Sequence, residues 1–70
     1  MKKLVIFGTG SLAHLAYFHF SNEGQYEVIA FTVNDDYIES ERLFDLKVVP
    51  FEQIETSHSP EDYSIFVAVG

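Results

Sequence analysis

Two short stretches of the chain contain residue types that can bind a phosphate and a ribose. Gly8, Thr9, Gly10 and Ser11 are followed by Ala13, which gives the spacing G-x-G-x-x-A. In this pattern the first glycine permits a tight turn, the second lets a phosphate approach the backbone, and the small third residue lets a helix pack closely on a strand. The hydroxyl groups of Thr9 and Ser11 can also bond to a phosphate oxygen.

The second stretch is an acidic pair, Asp35 and Asp36, which follows Asn34. Dinucleotide-binding folds carry an acidic residue about 20 residues beyond the glycine motif, where it accepts hydrogen bonds from ribose hydroxyls. The same three residues are also typical of a turn, because their side chains hydrogen-bond to their own backbone. The spacing leaves both interpretations open.

Neither stretch contains the elements of a catalytic centre. Thr9 and Ser11 have no evident base to activate them as nucleophiles. His14 and His19 are five residues apart, so a helix points them in different directions and not at one metal ion. The chain also contains no cysteine, which excludes a thiolate metal site. We therefore expect a binding domain with no catalytic residue and no metal site.

The elements that must position these residues follow from the apolar pattern. Residues 4–7 are a continuous apolar run, as in a strand buried on both faces of a parallel sheet. We expect a helix over residues 12–20, with Ser11 as its cap and Gly24 or Asn22 at its end. A second strand over residues 26–33 completes a βαβ unit, so the two strands should be parallel neighbours.

The periodicity of the helix predicts which of its sides faces the sheet. At 3.6 residues per turn, one broad side carries five residues, and His19 among them is expected to be a packed core histidine. These residues are Leu12, Leu15, Ala16, His19 and Phe20, with Ala13 at the edge of that side.

The rest of the chain predicts two further strands. Residues 37–47 are polar and irregular, with Leu43, Phe44 and Leu46 as anchors on the core, and Val48 and Val49 form a short strand. A last strand over residues 64–69 should lie beside the first. The expected fold is therefore α/β and Rossmann-like, with a parallel sheet of about four strands in the order 3-2-1-4.

The chain reaches Gly70 directly after that last strand. Because ligands of open parallel sheets bind beyond the carboxyl ends of the strands, Gly70 is expected to begin another loop beside the ligand. We interpret the 70 residues as a fragment of a longer protein.

Charge and hydropathy exclude some classes of partner. Four Lys and Arg against eleven Asp and Glu give a net charge of -7, which argues against nucleic acid and anionic membranes. No apolar run approaches the roughly 20 residues of a membrane span. We expect a soluble, cytoplasmic domain.

Four segments together resemble the N-terminal domain of the sugar O- and N-acyltransferases of the PglD and NeuD type. They are FGTGSLAHLAYFHF, YEVIAFTVNDDYI, LKVVPFEQIE and EDYSIFVAVG. The resemblance covers residues 1–70 and implies a Rossmann-like domain that binds a nucleotide-linked sugar, typically a UDP-sugar. By motif position, residues 8–11 would correspond to the diphosphate turn, and Asp35 and Asp36 to the acidic pair near the uridine.

The resemblance also implies a second domain that is absent from this chain. In the family, a C-terminal left-handed β-helix of hexapeptide repeats forms trimers, binds acetyl-CoA and carries the catalytic histidine. No hexapeptide period is visible in these residues. Acetyl-CoA would therefore bind outside the fragment, which would itself bind no cofactor and have no activity alone.

Two alternatives remain from the residues themselves. The chain could be the NAD-binding domain of an oxidoreductase, in which the acidic strand tip binds the ribose. It could also be a regulatory module without a substrate, in which the glycine turn is only structural.

Overall fold

The chain folds into a five-stranded sheet with one long helix on one face. The computed structural model describes residues 1–69. The main elements are β1 (Lys2–Phe7), α1 (Ser11–Glu23), β2 (Tyr26–Val33), β3 (Arg42–Leu43), β4 (Leu46–Pro50), α2 (Ile54–Ser57) and β5 (Ser64–Val67). Short 3-10 turns cover Asp35–Tyr37, Phe51–Gln53 and Pro60–Asp62.

The order of the strands across the sheet is β3-β4-β2-β1-β5. β1, β2, β4 and β5 pair in parallel, and only β3 is antiparallel to its neighbour. The predicted parallel order, with the third, second, first and fourth strands side by side, is confirmed. So is the parallel β1–α1–β2 unit, whose register runs from Lys2 beside Tyr26 to Phe7 beside Thr32. The fold is Rossmann-like α/β.

The additional strand, β3, lies in the segment that we expected to be irregular. It forms a hairpin with β4, in which Leu43 pairs with Leu46 around a two-residue turn. Both turn residues, Phe44 and Asp45, have positive φ angles, 52° and 64°. The predicted anchoring is confirmed, because Leu43, Phe44 and Leu46 pack against the buried core.

Helix α1 is longer than predicted and is capped differently. It begins at Ser11, so Gly10 and not Ser11 is the N-cap, and no side chain bonds to the free N–H groups there. At the other end the helix continues to Glu23 before Gly24 adopts a left-handed conformation with φ 88°. The predicted glycine C-cap is confirmed.

The predicted inner side of α1 is confirmed for Ala16 and Phe20 and is wrong for Leu12, Leu15 and His19, so the buried side is rotated by roughly one residue. Ala13 and Ala16 are buried, and Tyr17 and Phe20 pack on the core. Leu15 is 66% exposed. The small alanines allow close approach to the sheet, and the hairpin supplies Phe44, whose ring stacks on Tyr17 at 4.4 Å.

His19 is correspondingly not a core histidine. Its side chain is 69% exposed, and its Nε2 lies 3.1 Å from a carboxylate oxygen of Glu23, one helical turn further on. An exposed pair of this kind contributes little to stability.

The core occupies both faces of the sheet. Beneath α1 the buried set includes Leu4, Ile6 and Phe31. On the opposite face Val5 and Ala30 pack with Ile54 of α2. β1 therefore contributes alternate side chains to both faces, as its unbroken apolar sequence predicts.

β5 lies at an edge and is exposed along its length. It ends at Val67, two residues earlier than predicted. A groove of about 380 Å³ runs between it and α1, lined by Leu12, Leu15, Phe20, Phe66 and Val67 among others. Within residues 1–69, no helix has the length and apolar character needed to cross a membrane.

Candidate functional site

The candidate residues come together because parallel strands end at the same edge of a sheet. The glycine turn follows β1, the acidic pair follows β2, and the Phe51–Gln53 turn follows β4. Ligands of open α/β sheets bind outside this carboxyl edge. The candidate site is therefore built from the loops along that edge.

Gly8 is required by the fold. Its φ is +132°, and a Cβ at this position would lie 2.6 Å from the carbonyl oxygen of Ala68. Two backbone hydrogen bonds fix the same region: Gly8 N–H donates to Thr32 O at 2.8 Å, and Ala68 N–H donates to Phe7 O at 2.8 Å. Only glycine combines this conformation with so close an approach of two backbone segments.

Gly10 has the opposite character. A Cβ built on it would meet no protein atom within 4 Å, and its φ of −87° suits any residue. Its carbonyl accepts the first hydrogen bond of α1, from His14 N–H at 3.1 Å. The backbone at the start of the helix is therefore open, and Thr9, Gly10 and Ser11 line a cleft of about 390 Å³ together with Leu12, Ala68 and Val69.

Thr9 also lines a second, smaller cleft. Its volume is about 160 Å³, and its lining includes Ser40, Arg42 and Val48. The guanidinium of Arg42 is engaged elsewhere, since Nη1 donates to the carbonyl of Asp45 at 3.0 Å. The sequence did not indicate these residues, because only the β3–β4 hairpin brings them to the glycine turn.

The acidic pair occupies an exposed 3-10 turn, Asp35–Tyr37. Backbone bonds close it: Tyr37 N–H donates to Asn34 O at 2.9 Å and Ile38 N–H donates to Asp35 O at 3.2 Å. The N-cap residue, Asn34, makes no side-chain hydrogen bond to the turn. The segment therefore forms a turn, as one of the two interpretations of residues 34–36 predicted. The side chains of Asp35 and Asp36 are exposed, so the ligand interpretation stays a prediction.

Asp35 lines a cleft distinct from the two that Thr9 lines. Asp35 lines a cleft of about 440 Å³ whose walls include Glu41, Arg42, Lys47 and Val48. Arg42 and Val48 also line the small cleft beside Thr9. The hairpin therefore lies between the two predicted halves of the site.

Glu52 is a further residue of this edge that the sequence did not single out. Its Oε1 accepts a hydrogen bond of 3.0 Å from the backbone N–H of Asp35. Its own backbone N–H, the N–H of Asp35 and the side chain of Asn34 all donate to the carboxylate, and they lower the pKa of Glu52 below its ordinary value. The carboxylate is thus charged at neutral pH.

Two further predictions concern Gly70 and a metal site. Gly70 lies outside the described residues, so its predicted place beside the ligand stays a prediction. Across residues 1–69, no three His, Asp or Glu side chains are grouped so that they could hold a metal ion. The arrangement offers backbone N–H groups, hydroxyls and carboxylates, which suit binding of a phosphate and a sugar.

Comparison with known families identifies the domain. A family model described as the PglD N-terminal domain matches residues 3–70, which is nearly the whole chain. Comparison with curated proteins and with solved structures finds no match. The resemblance seen in the four segments of the sequence is thus confirmed. The chain belongs to the PglD N-terminal domain family, the N-terminal domain of a family of sugar acetyltransferases.

Proposed function

We propose that this domain binds a nucleotide-linked sugar of the UDP-sugar type at the carboxyl edge of its sheet. In this proposal the diphosphate lies against residues 8–11, and the nucleoside lies near Asp35 and Asp36. Membership of the PglD N-terminal domain family supports the assignment.

The observation that carries the proposal is the contrast between the two glycines of the turn. Gly8 is needed for packing, whereas the space above Gly10 is empty of protein atoms. A glycine that no neighbouring protein atom requires is explained if a phosphate approaches the backbone there. The free N–H groups and the positive end of the α1 dipole would bind that phosphate, so no basic side chain is needed.

We further propose that the parent protein is an acetyltransferase. A C-terminal left-handed β-helix domain would bind acetyl-CoA, form trimers and transfer the acetyl group to an amine or a hydroxyl of the bound sugar, releasing CoA as the free thiol. This domain would contribute substrate binding and no catalytic residue.

Calorimetric titration of the full-length protein tests the binding proposal. UDP and a UDP-sugar should bind with similar enthalpies, because the nucleotide that they share makes the main contacts. NADH should not bind. Binding of NADH without binding of UDP-sugars would instead support an NAD-linked oxidoreductase.

The variant Gly10→Val tests the proposed phosphate site directly. It places a branched side chain in the space proposed for the phosphate, and nothing in the fold obstructs it. A folded Gly10→Val protein with unchanged UDP affinity would show that the turn is not a phosphate site.

A further inference from the structure

The carboxylate of Glu52 joins two loops of the candidate site. Glu52 belongs to the turn after β4, and its hydrogen-bond partner, the N–H of Asp35, belongs to the turn after β2. The two strands are neighbours, with Val33 beside Pro50 at their ends. The bond therefore continues the pairing of β2 and β4 beyond the last residues of the strands.

The hydrogen bond from Glu52 holds the backbone of Asp35, the first residue of the acidic turn. The turn's own backbone bonds use the N–H groups of Tyr37 and Ile38. The N–H of Asp35 is bonded by Glu52 instead, at 3.0 Å. The backbone orientation of Asp35, and with it the direction of the next carboxylate at Asp36, therefore depends on a side chain from another loop.

Glu52 is itself held on an anchored turn. The ring of the preceding residue, Phe51, packs edge-to-face on Phe7 at the end of β1, with ring centroids 5.1 Å apart. A carboxylate beside Asp35 and Asp36 adds negative charge to an acidic loop, which is unfavourable in itself. Hydrogen bonds from its own backbone N–H and from that of Asp35 nevertheless lower the pKa of Glu52, so the carboxylate stays charged.

We propose that Glu52 is a positioning residue for the nucleoside end of the ligand. It holds the Asp35–Tyr37 turn so that the carboxylates of Asp35 and Asp36 are oriented before the ligand arrives. This role rests on the proposed function, since it assumes that the acidic pair contacts the nucleoside. Preorganisation of this kind raises affinity because the loop is already ordered.

Three variants of the full-length protein test the role. Glu52→Ala removes the acceptor, Glu52→Gln retains an oxygen that can accept the same bond, and Glu55→Ala removes an exposed carboxylate in α2 as a matched control. UDP affinity should fall at least about threefold in Glu52→Ala, because binding must then order a turn that is no longer held in advance. It should recover in Glu52→Gln and stay unchanged in Glu55→Ala.

A measurement without ligand separates this inference from the proposed function. Hydrogen exchange followed by NMR should show faster exchange of the Asp35 amide in Glu52→Ala, with the Gly8 amide, bonded to Thr32, as the internal reference. Unchanged exchange at Asp35 would overturn the inference whether or not UDP binds. Faster exchange with unaltered UDP affinity would also overturn it, whereas failure of the wild type to bind UDP would refute the proposed function.

Discussion

Gly8 and Ala68 approach each other so closely that a single added methyl group on Gly8 would lie 2.6 Å from the carbonyl oxygen of Ala68. This contact ties the turn after β1 to the residue after β5. The glycine turn is therefore part of the packing of the sheet as well as a candidate phosphate site.

We expect Gly8→Ala to destabilise the protein. The φ of +132° alone should cost an alanine about 1–3 kcal/mol, and the contact with Ala68 adds to this. Urea unfolding should show a lower midpoint. A midpoint equal to that of the wild type would mean that the turn can relax without loss.

Gly10→Val should behave differently, because its new side chain meets no protein atom. We expect a stability loss of about 1 kcal/mol, from the poorer N-cap, and a much larger loss of UDP affinity. Circular dichroism would establish that the variant is folded, and calorimetry would measure binding. Equal affinity would contradict the phosphate role.

Asp36→Asn should weaken nucleoside binding by about 1–3 kcal/mol, the cost of losing a charged hydrogen-bond acceptor. Asp62→Asn is the matched control: it makes the same charge change beside Met1 and Lys2, next to the opposite ends of the strands. Calorimetry with UDP should detect a change only for Asp36→Asn. If both variants bind UDP as tightly as the wild type, Asp36 only helps to form the turn.

Thr32→Val should destabilise the fold although the two side chains have nearly the same shape. Thr32 is fully buried, and its hydroxyl donates to the carbonyl of Val49 at 2.6 Å. Removing the donor should cost about 1–2 kcal/mol, because it removes a buried hydrogen bond. Chemical denaturation measures this directly, and a variant as stable as the wild type would show that the bond contributes nothing net.

Asp45→Gly should stabilise the β3–β4 hairpin by about 0.5–1 kcal/mol, because glycine adopts the left-handed conformation without a steric penalty. Asp45 has a φ of 64° in a two-residue turn that favours glycine at this position. Asp45→Ala keeps the penalty and should be no more stable than the wild type. Thermal unfolding of the three proteins should rank glycine first.

The orientation of α1 was only partly predictable from the sequence. Leu12 and Leu15 are apolar and lie one helical turn apart, so periodicity assigns them to the core. The structure leaves both leucines exposed, and it buries Ala16, as predicted, together with Ala13, which the prediction placed at the edge of that side. In the observed orientation Tyr17 stacks on Phe44, and that contact joins residues of distant segments, which periodicity along one helix cannot predict.

In the candidate site, too, some residues were predictable from the sequence and others were not. The glycine turn and the acidic pair were visible because their chemistry depends on short, local spacing. The parts played by Ser40, Arg42 and Glu52 were not visible, since each depends on which strand lies beside which. Whether any of these residues binds the ligand stays a prediction.

The sequence by itself determined the strand-turn-helix-strand unit, the parallel order of the strands and the two candidate stretches, because local periodicity and turn chemistry control each of them. The tertiary structure alone decided that the backbones of Gly8 and Ala68 lie in close approach, that the space at Gly10 is open and that Glu52 accepts a hydrogen bond from the acidic turn. Those relationships join residues from separate loops, and they arise only when the sheet brings the ends of its strands together.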